Sequence, residues 1–206
     1  NELDAVSADD LGEFLELYDG GQGNVDLSGL TLVFYQGDEA SVYLAVSLDD
    51  LETDADGYFV LGDSGVAEVD LRLANGTLRD GPDAIAIYTA PMNVFPNDAP
   101  VSVENLLDAV VYGSADERLL VLLNAGQDAL DENSRGAATT DSNQRCPNGG
   151  GRPRETEAFI QNSPTPGESN RCRFDDPPQV DDVVPKPGAV DVALDTSLAV
   201  TFSEPV

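Results

Sequence analysis

Histidine and tryptophan are absent from this sequence of 206 residues, and lysine occurs only once, as Lys186. Histidine is the commonest general base and a member of serine triads, so its absence excludes those catalytic arrangements and most transition-metal sites. The sequence also has no run of about 20 apolar residues, the length that a membrane-spanning helix needs. It therefore predicts neither a histidine-dependent enzyme nor a membrane-spanning protein.

Basic residues are scarce: Lys and Arg together number 10, against 39 Asp and Glu, for a formal net charge of −29. Such a charge repels phosphate backbones and anionic membranes, so neither nucleic acid nor a membrane is an expected partner of this chain. The carboxylates have two interpretations, which are compatible. They form a solvated surface suited to salty water, or some of them bind a divalent cation such as Ca²⁺.

The two cysteines, Cys146 and Cys172, lie in a segment rich in Gly, Pro, Asn and Ser. They are not spaced as a zinc knuckle, and no histidine exists to complete a zinc site. We therefore predict a disulfide formed in an oxidising compartment, which implies an extracellular or cell-surface protein. The chain begins at Asn1 without Met or a signal-like stretch, as expected of a mature secreted protein.

The same segment holds six of the arginines. They are Arg135, Arg145, Arg152, Arg154, Arg171 and Arg173. One interpretation is that these side chains pair with the acidic body of the protein. The other is that Arg145, Arg152, Arg154, Arg171 and Arg173 contact a polyanion or an acidic partner, with weak and salt-dependent binding.

Strand signals dominate the sequence. Alternating apolar residues, bounded by Gly, Asp and Asn, predict strands over residues 13–18, 30–35, 41–48, 57–61, 69–73, 83–88 and 109–112. Helical signals are few: residues 103–108 form one turn after Ser102, and residues 117–123 form a short helix or a buried strand. The spacing of the strands predicts an all-β protein built as a β-sandwich over residues 1–172.

The end of the chain differs in composition. Residues 173–183 are acidic and contain Pro177 and Pro178, which predicts an extended linker. Residues 184–206 alternate apolar and polar side chains around a turn at residues 195–197, which predicts two strands. Two strands cannot bury enough apolar surface to stand alone, so we expect an incomplete second domain and a longer modular parent protein.

A calcium site is the one metal site that the sequence suggests. Asp54 and Asp56 precede Gly57 with the spacing that presents two carboxylates around a tight turn. The alternative is an ordinary turn between two strands, because the remaining ligands of a calcium loop are missing. Asp19, Asn24 and Asp26 form a second, weaker candidate. No cofactor is required by any other feature.

Four motifs resemble a known family, the bacterial lamin-tail domain. Residues 1–4 (Asn-Glu-Leu-Asp) and 12–18 (Gly-Glu-Phe-Leu-Glu-Leu-Tyr) are similar to its opening motifs. Residues 26–32 (Asp-Leu-Ser-Gly-Leu-Thr-Leu) and 57–62 (Gly-Tyr-Phe-Val-Leu-Gly) follow in the family's order. Residues 164–170 (Pro-Thr-Pro-Gly-Glu-Ser-Asn) are similar to its closing segment. Residues 184–206 resemble the start of a bacterial immunoglobulin-like domain.

The resemblance implies an immunoglobulin-like β-sandwich that is not itself an enzyme. It also implies a secreted multidomain protein, in which this module is accessory to an extracellular nuclease or phosphodiesterase. Its expected partners are downstream domains of the same polypeptide, and an extracellular polymer or the cell surface. The alternative is a structural or adhesive spacer in a surface protein without an attached enzyme. This sequence departs from antibody domains because it lacks their buried tryptophan, and its cysteines lie late in the chain.

Overall fold

The computed structural model describes residues 1–6, 12–113, 117–134, 136–172, 180–186, 188–190, 197 and 199–202. The chain divides into two compact units, unit 1 (Asn1–Cys172) and unit 2 (Arg173–Val206). Unit 1 consists of strands joined by turns, with two single turns of 3₁₀ helix at Met92–Val94 and Leu120–Leu122. This confirms the prediction of an all-β fold.

The described residues of unit 1 form ten strands in two sheets. The strands are β1 (Glu2–Asp4), β2 (Phe14–Tyr18), β3 (Thr31–Gln36), β4 (Ser41–Ser47), β5 (Tyr58–Gly62), β6 (Leu71–Arg72), β7 (Asp83–Tyr88), β8 (Leu106–Tyr112), β9 (Ser142–Arg145) and β10 (Phe159–Asn162). One sheet has the order β10-β9-β1-β2-β5-β6, and the other has the order β4-β3-β7-β8. All neighbours are antiparallel except β5 and β6, which run parallel.

The core lies between the two sheets. The six-stranded sheet contributes Leu3, Leu15 and Phe59, and the four-stranded sheet contributes Phe34 and Ile85, all in one buried cluster. Successive side chains of a strand point to opposite faces, so alternate apolar residues on both sheets meet in the middle. The two sheets therefore pack face to face as a sandwich.

The four-stranded sheet is buried on its outer face as well. Val33 and Tyr35, which alternate with the core residues of β3, join a second apolar cluster with Tyr88, Phe95 and Leu122. Phe95 and Leu122 come from loops that follow β7 and β8, so these loops cover the sheet. The hydroxyl groups of Tyr35 and Tyr88 are 2.8 Å apart, which satisfies both inside an apolar layer.

Several elements differ from the prediction. Residues 106–108 belong to β8 rather than to a helical turn. For residues 117–123 a short helix or a buried strand was predicted, and residues 120–122 form a short 3₁₀ helix. The strands β1, β9 and β10 were not predicted, because β9 is wholly polar and β1 and β10 have only three and four residues. Hydrogen bonds to neighbouring strands hold all three in the sheet.

Unit 2 contains an antiparallel pair, β11 (Val180–Val184) and β12 (Ala199–Phe202). The predicted linker over residues 173–183 thus contains most of β11, whose β-branched valines favour a strand. Residues 173–179 of the predicted linker lie outside the described part of the chain. Residues 191–196, where another strand was predicted, also lie outside the described part of the chain.

Candidate functional site

A row of buried polar side chains crosses the outer face of the six-stranded sheet. Glu2 of β1 lies opposite Glu16 of β2 on one side and opposite Gln144 of β9 on the other. All three are at most 1% exposed. Residues 163–172, which we call the closing segment, supply hydrogen bonds to all three side chains, so these polar groups are buried by the protein's own chain.

Glu2 is held by four hydrogen bonds. Its Oε1 accepts from Ser142 Oγ, from Gln144 Nε2 at 3.2 Å and from the backbone N–H of Thr165 at 2.9 Å. Its Oε2 accepts from Thr165 Oγ1 at 2.7 Å. Burial raises the pKa of the Glu2 carboxyl, and the bonds from Ser142 and Thr165 act against that rise.

Glu16 has fewer donors. Asn1 Nδ2 donates to Oε1 at 2.7 Å, and the backbone N–H of Gly167 donates to Oε2 at 2.7 Å. Burial, with the charge of Glu2 acting in the same direction, raises the pKa of Glu16 to about 7 against these two bonds. A carboxyl with this pKa exchanges a proton near neutral pH, but here both of its oxygens are bound to the protein.

Asn170 completes this network near the end of unit 1. Its Nδ2 donates to the carbonyl oxygen of Arg145 at 2.9 Å, and its N–H donates to Asn148 Oδ1 at 3.1 Å. The next residue, Arg171, donates its N–H to Gln144 Oε1 at 2.8 Å. The residues that carry the family resemblance at the two ends of unit 1 thus meet in one hydrogen-bond network.

Cys146 and Cys172 form a disulfide with a Cα–Cα distance of 5.4 Å. Cys146 directly follows β9, and its N–H donates to the carbonyl oxygen of Ala158 at 2.8 Å. The bond therefore fastens the closing segment to the six-stranded sheet. This confirms the predicted pairing.

Arg145 is one of the five arginines proposed for a polyanion. Its side chain is nearly buried, and Nη2 lies 3.2 Å and 3.0 Å from the two carboxylate oxygens of Asp108. The guanidinium also lies 4.9 Å from the ring centre of Phe159. Because β9 and β8 belong to different sheets, this ion pair joins the two layers of the sandwich.

Arg154 also points inward. Its Nε donates to the carbonyl oxygen of Leu122 at 2.6 Å, and its Nη2 donates to those of Val121 and Leu123 at 3.0 and 3.3 Å. These carbonyl groups belong to the 3₁₀ turn and to the residue that follows it. Carbonyl groups at the end of a helical turn accept few hydrogen bonds from within the turn. Arg154 therefore fixes the loop that covers the four-stranded sheet.

Of the five arginines, the other two that the structure describes, Arg152 and Arg171, differ from Arg145 in exposure. The side chains of Arg152 and Arg171 are exposed, whereas Arg145 is buried. Arg173, and Arg135 of the same segment, lie outside the described residues. In the described part of the chain, only Arg152 and Arg171 of the five present an exposed side chain to a partner.

Asp54 acts within a turn. Its Oδ1 accepts the N–H groups of Asp56 at 2.9 Å and Tyr58 at 2.8 Å, while Asp56 itself is exposed. The second candidate, Asp19, accepts from Thr53 Oγ1 at 2.7 Å and from two backbone N–H groups of its own loop. Among the described residues, no group of three or more His, Cys, Asp or Glu side chains is arranged to hold a metal ion.

A narrow cleft of about 60 Å³ opens between the sheets beside the Arg145–Asp108 pair. Leu17, Ile87 and Phe159 form its apolar wall. A shallower depression of about 160 Å³ adjoins it near Tyr18, whose ring stacks on Tyr58 with centres 4.8 Å apart. The cleft has room for a few water molecules, and the depression is the larger of the two spaces.

The part of the chain that the structure describes has no helix with the length and apolar character required to cross a membrane. No protein-family model matches the chain, and neither does any curated protein or any solved structure.

Proposed function

We propose that this chain is a non-catalytic binding or scaffold module of a secreted multidomain protein. The observation that carries the proposal is that the two ends of unit 1 lie side by side. Arg145 donates its N–H to the carbonyl oxygen of Asn1 at 2.9 Å, and Asn170 Nδ2 lies 3.3 Å from Asn1 Oδ1. Whatever is joined to these two ends meets unit 1 at one place.

This geometry favours a module that projects from a chain. A spacer separates its neighbours by its own length when its two ends lie at opposite poles. Unit 1 instead brings Asn1 and Cys172 into one corner, where the closing segment and the disulfide hold them. The rest of its surface is then free to contact a partner, which is the arrangement that a binding or scaffold role requires.

Two further observations support the proposal. Disulfides persist in oxidising compartments, so the Cys146–Cys172 bond fits an extracellular or cell-surface location. The side chains of Glu2, Glu16 and Arg145, which could carry chemistry in another setting, are bound to groups of the domain itself. They hold the fold together, as expected of an accessory module.

The resemblance to lamin-tail domains extends the proposal. It implies that the sandwich is of the immunoglobulin-like type and that the module positions an extracellular nuclease or phosphodiesterase. The resembling residues Asn1, Glu2, Thr165, Gly167 and Asn170 form the network that closes unit 1, which supports reading them as one structural signature. Its partners would be domains of the same polypeptide and an extracellular polymer.

The test uses the full chain in two assays. Sedimentation with insoluble peptidoglycan, chitin and cellulose, in about 0.15 M and 1 M NaCl, measures polymer retention. We expect retention on at least one polymer. Incubation with bis(p-nitrophenyl) phosphate and linear DNA, with and without Mg²⁺, measures hydrolysis, and we expect no product above the buffer control.

Each outcome has a definite meaning. Hydrolysis that persists through a further purification step would overturn the non-catalytic assignment. Failure to bind any of the three polymers would reject the polymer-anchoring role and favour the structural spacer. The double variant Cys146→Ser, Cys172→Ser is the matched control. Without the disulfide, the corner that brings Asn1 and Cys172 together should loosen, which should reduce specific retention on the polymer but not non-specific adsorption.

A further inference from the structure

One end of the sandwich of unit 1 buries two carboxyl groups without complete hydrogen bonding. Asp83 is 4% exposed and Glu132 is 7% exposed. Asp83 Oδ2 and Glu132 Oε1 are buried and have no hydrogen-bond partner among the described residues. An ionised carboxylate in this position loses its hydration without replacement, so the arrangement requires an explanation.

The topology brings the two groups to the same place. Asp83 begins β7 and lies in register with Tyr112, the last residue of β8. Tyr112 also forms a parallel bridge with Leu130, and Glu132 follows two residues later. The N–H of Leu130 donates to Val111 at 2.8 Å, and Gln161 Nε2 donates to the carbonyl oxygen of Glu132. Residues 130–132 are thus fastened along the edge of β8.

The groups around this end are mostly acidic. The carboxylates of Asp80, Asp4, Asp83 and Asp131 all act electrostatically on Glu132. Asp83 faces Asp38 and Arg79, and its Oδ1 accepts the N–H of Gly37 at 3.0 Å. Arg79 lies 4.0 Å above the ring of Tyr43, and the carboxyl groups of Asp83 and Glu132 both act on the buried hydroxyl of Tyr112. Glu13 also acts on Tyr43.

The pKa values agree with this geometry. Burial, with the charges of the neighbouring aspartates acting in the same direction, raises the pKa of Glu132 to about 8. Burial raises the pKa of Asp83 to about 6, against the hydrogen bond from Gly37 and the charge of Arg79. Both groups therefore keep a proton at a pH where an exposed carboxyl has lost it.

We propose that Asp83 and Glu132 form a proton-linked contact that holds residues 130–132 against β8 when protonated and loosens them on ionisation. A protonated carboxyl has no charge to desolvate, and its O–H can donate to a neighbouring oxygen. At pH values between the ordinary glutamate pKa and the raised pKa, the folded protein binds more protons at these two carboxyl groups than the unfolded chain does. Local stability consequently falls as the pH rises through that window.

A bound cation is the competing explanation for buried carboxylates. The described residues contain no group of three acidic side chains arranged around a metal ion. Two carboxyl groups and a hydroxyl group provide a proton site more readily than a calcium site, which takes six or more oxygen ligands. We therefore assign a proton to these two carboxyl groups, and cation binding is an alternative that the test distinguishes.

The test is hydrogen exchange of the Leu130 and Gly113 amides in the full chain, corrected for intrinsic exchange. Both amides hold residues 130–132 to β8. Between about pH 5.5 and pH 8.5 we expect their protection to fall by about tenfold in the unaltered protein. In Glu132→Gln, which is neutral at position 132 at every pH, this fall should shrink to the part that Asp83 contributes near pH 6. Glu157→Gln, which removes an exposed carboxylate, should behave as the unaltered protein does.

A fall of equal size in Glu132→Gln and the unaltered protein would overturn the proposal. If that variant does not fold, a ¹³C NMR titration of the unaltered protein decides: a Glu132 midpoint in the ordinary glutamate range overturns the proposal, and a raised midpoint supports it. Protection restored at high pH by about 1 mM CaCl₂, in the unaltered protein but not in Glu132→Gln, would assign a cation site instead.

Discussion

Thr165 binds both carboxylate oxygens of Glu2. Its backbone N–H donates to Oε1 at 2.9 Å, and its hydroxyl group donates to Oε2 at 2.7 Å. The two residues are 163 positions apart, so this contact joins the first strand of unit 1 to its closing segment. A buried carboxylate needs several donors to remain in place, and Thr165 supplies two of the four that Glu2 has.

The first prediction concerns this contact. Thr165→Val keeps the shape and the backbone donor but removes the hydroxyl donor to a buried acceptor. We expect the free energy of unfolding to fall by about 1–3 kcal/mol, the cost of a lost bond to a buried charged group. Urea unfolding at neutral pH measures it. Ser163→Ala, which removes an exposed hydroxyl group nearby, is the control and should cost little. Equal losses in the two variants would contradict the role of Thr165.

The disulfide gives the second prediction. Cys146 and Cys172 are separated by 26 positions, and closing a loop of this length restricts the unfolded chain. In the chain-entropy model the bond contributes about 3–4 kcal/mol. Replacing both residues by Ser should lower the free energy of unfolding by that amount. Reductant should destabilise the unaltered protein and leave the double variant unchanged, and a reductant effect on the variant would show that something other than the disulfide is responsible.

The strands with apolar alternation were predictable, and the polar ones were not. Residues 83–88 were predicted as a strand and form β7, because Ile85 and Ile87 face the core while Ala84 and Ala86 face the covering loops. The four residues of β9, Ser142–Arg145, are polar but buried. Their burial depends on Glu2 and on the closing segment, which lie far away in the sequence, so no local pattern indicates it.

The candidate site was predictable only in parts. The cysteine pairing followed from there being two cysteines and no histidine. The family-like residues Glu2 and Thr165 were recognised in the sequence, but their meeting depends on the order of strands in the six-stranded sheet. The arginines were grouped by their sequence position, whereas the fold turns Arg145 and Arg154 inward and leaves Arg152 exposed. Sequence proximity does not determine which way a side chain points.

The arginines therefore lead to a third prediction. Arg154→Ala should lower the melting temperature, because it leaves the carbonyl oxygens of Val121, Leu122 and Leu123 without their donor. We expect a loss of about 1–3 kcal/mol. Arg152→Ala, at an exposed position, should leave the melting temperature unchanged, and it tests polyanion binding without unfolding the loop.

DNA binding, measured by fluorescence anisotropy at low salt, should be weak and should not depend on Arg154 in variants that remain folded. Loss of DNA binding in a folded Arg154→Ala variant would instead identify Arg154 as a residue that contacts DNA.

The fourth prediction separates a turn from a calcium site at Asp54. Its Oδ1 accepts two backbone N–H groups, and Asn retains an acceptor in the same position. Asp54→Ala should lower the free energy of unfolding by about 1 kcal/mol, and Asp54→Asn should cost much less. Thermal unfolding with Ca²⁺ and with Na⁺ at matched ionic strength should give equal melting temperatures. An increase in melting temperature that is specific to Ca²⁺ and disappears in Asp54→Asn would establish Asp54 as a metal ligand.

The fifth prediction follows from Asp4. Burial, together with the charges of Glu2, Glu13 and Asp141, raises its pKa to about 7 against a backbone hydrogen bond from Val6. The folded protein thus holds a proton that the unfolded chain releases near the ordinary aspartate pKa. The free energy of unfolding should therefore fall as the pH rises from about 4 to about 7.

Asp4→Asn removes the charge and should weaken this dependence, so the variant should be more stable than the unaltered protein at pH 8. Asp49 provides a control of opposite sign. Hydrogen bonds from Gly29 and Ser47 lower its pKa, so its contribution is present at neutral pH and disappears as the pH falls. Asp49→Asn should therefore weaken the fold at neutral pH without changing its stability in acid. Urea midpoints for the three proteins at about pH 2, 4, 6 and 8 measure both effects, and parallel curves for Asp4→Asn and the unaltered protein would refute the assignment of a buried proton to Asp4.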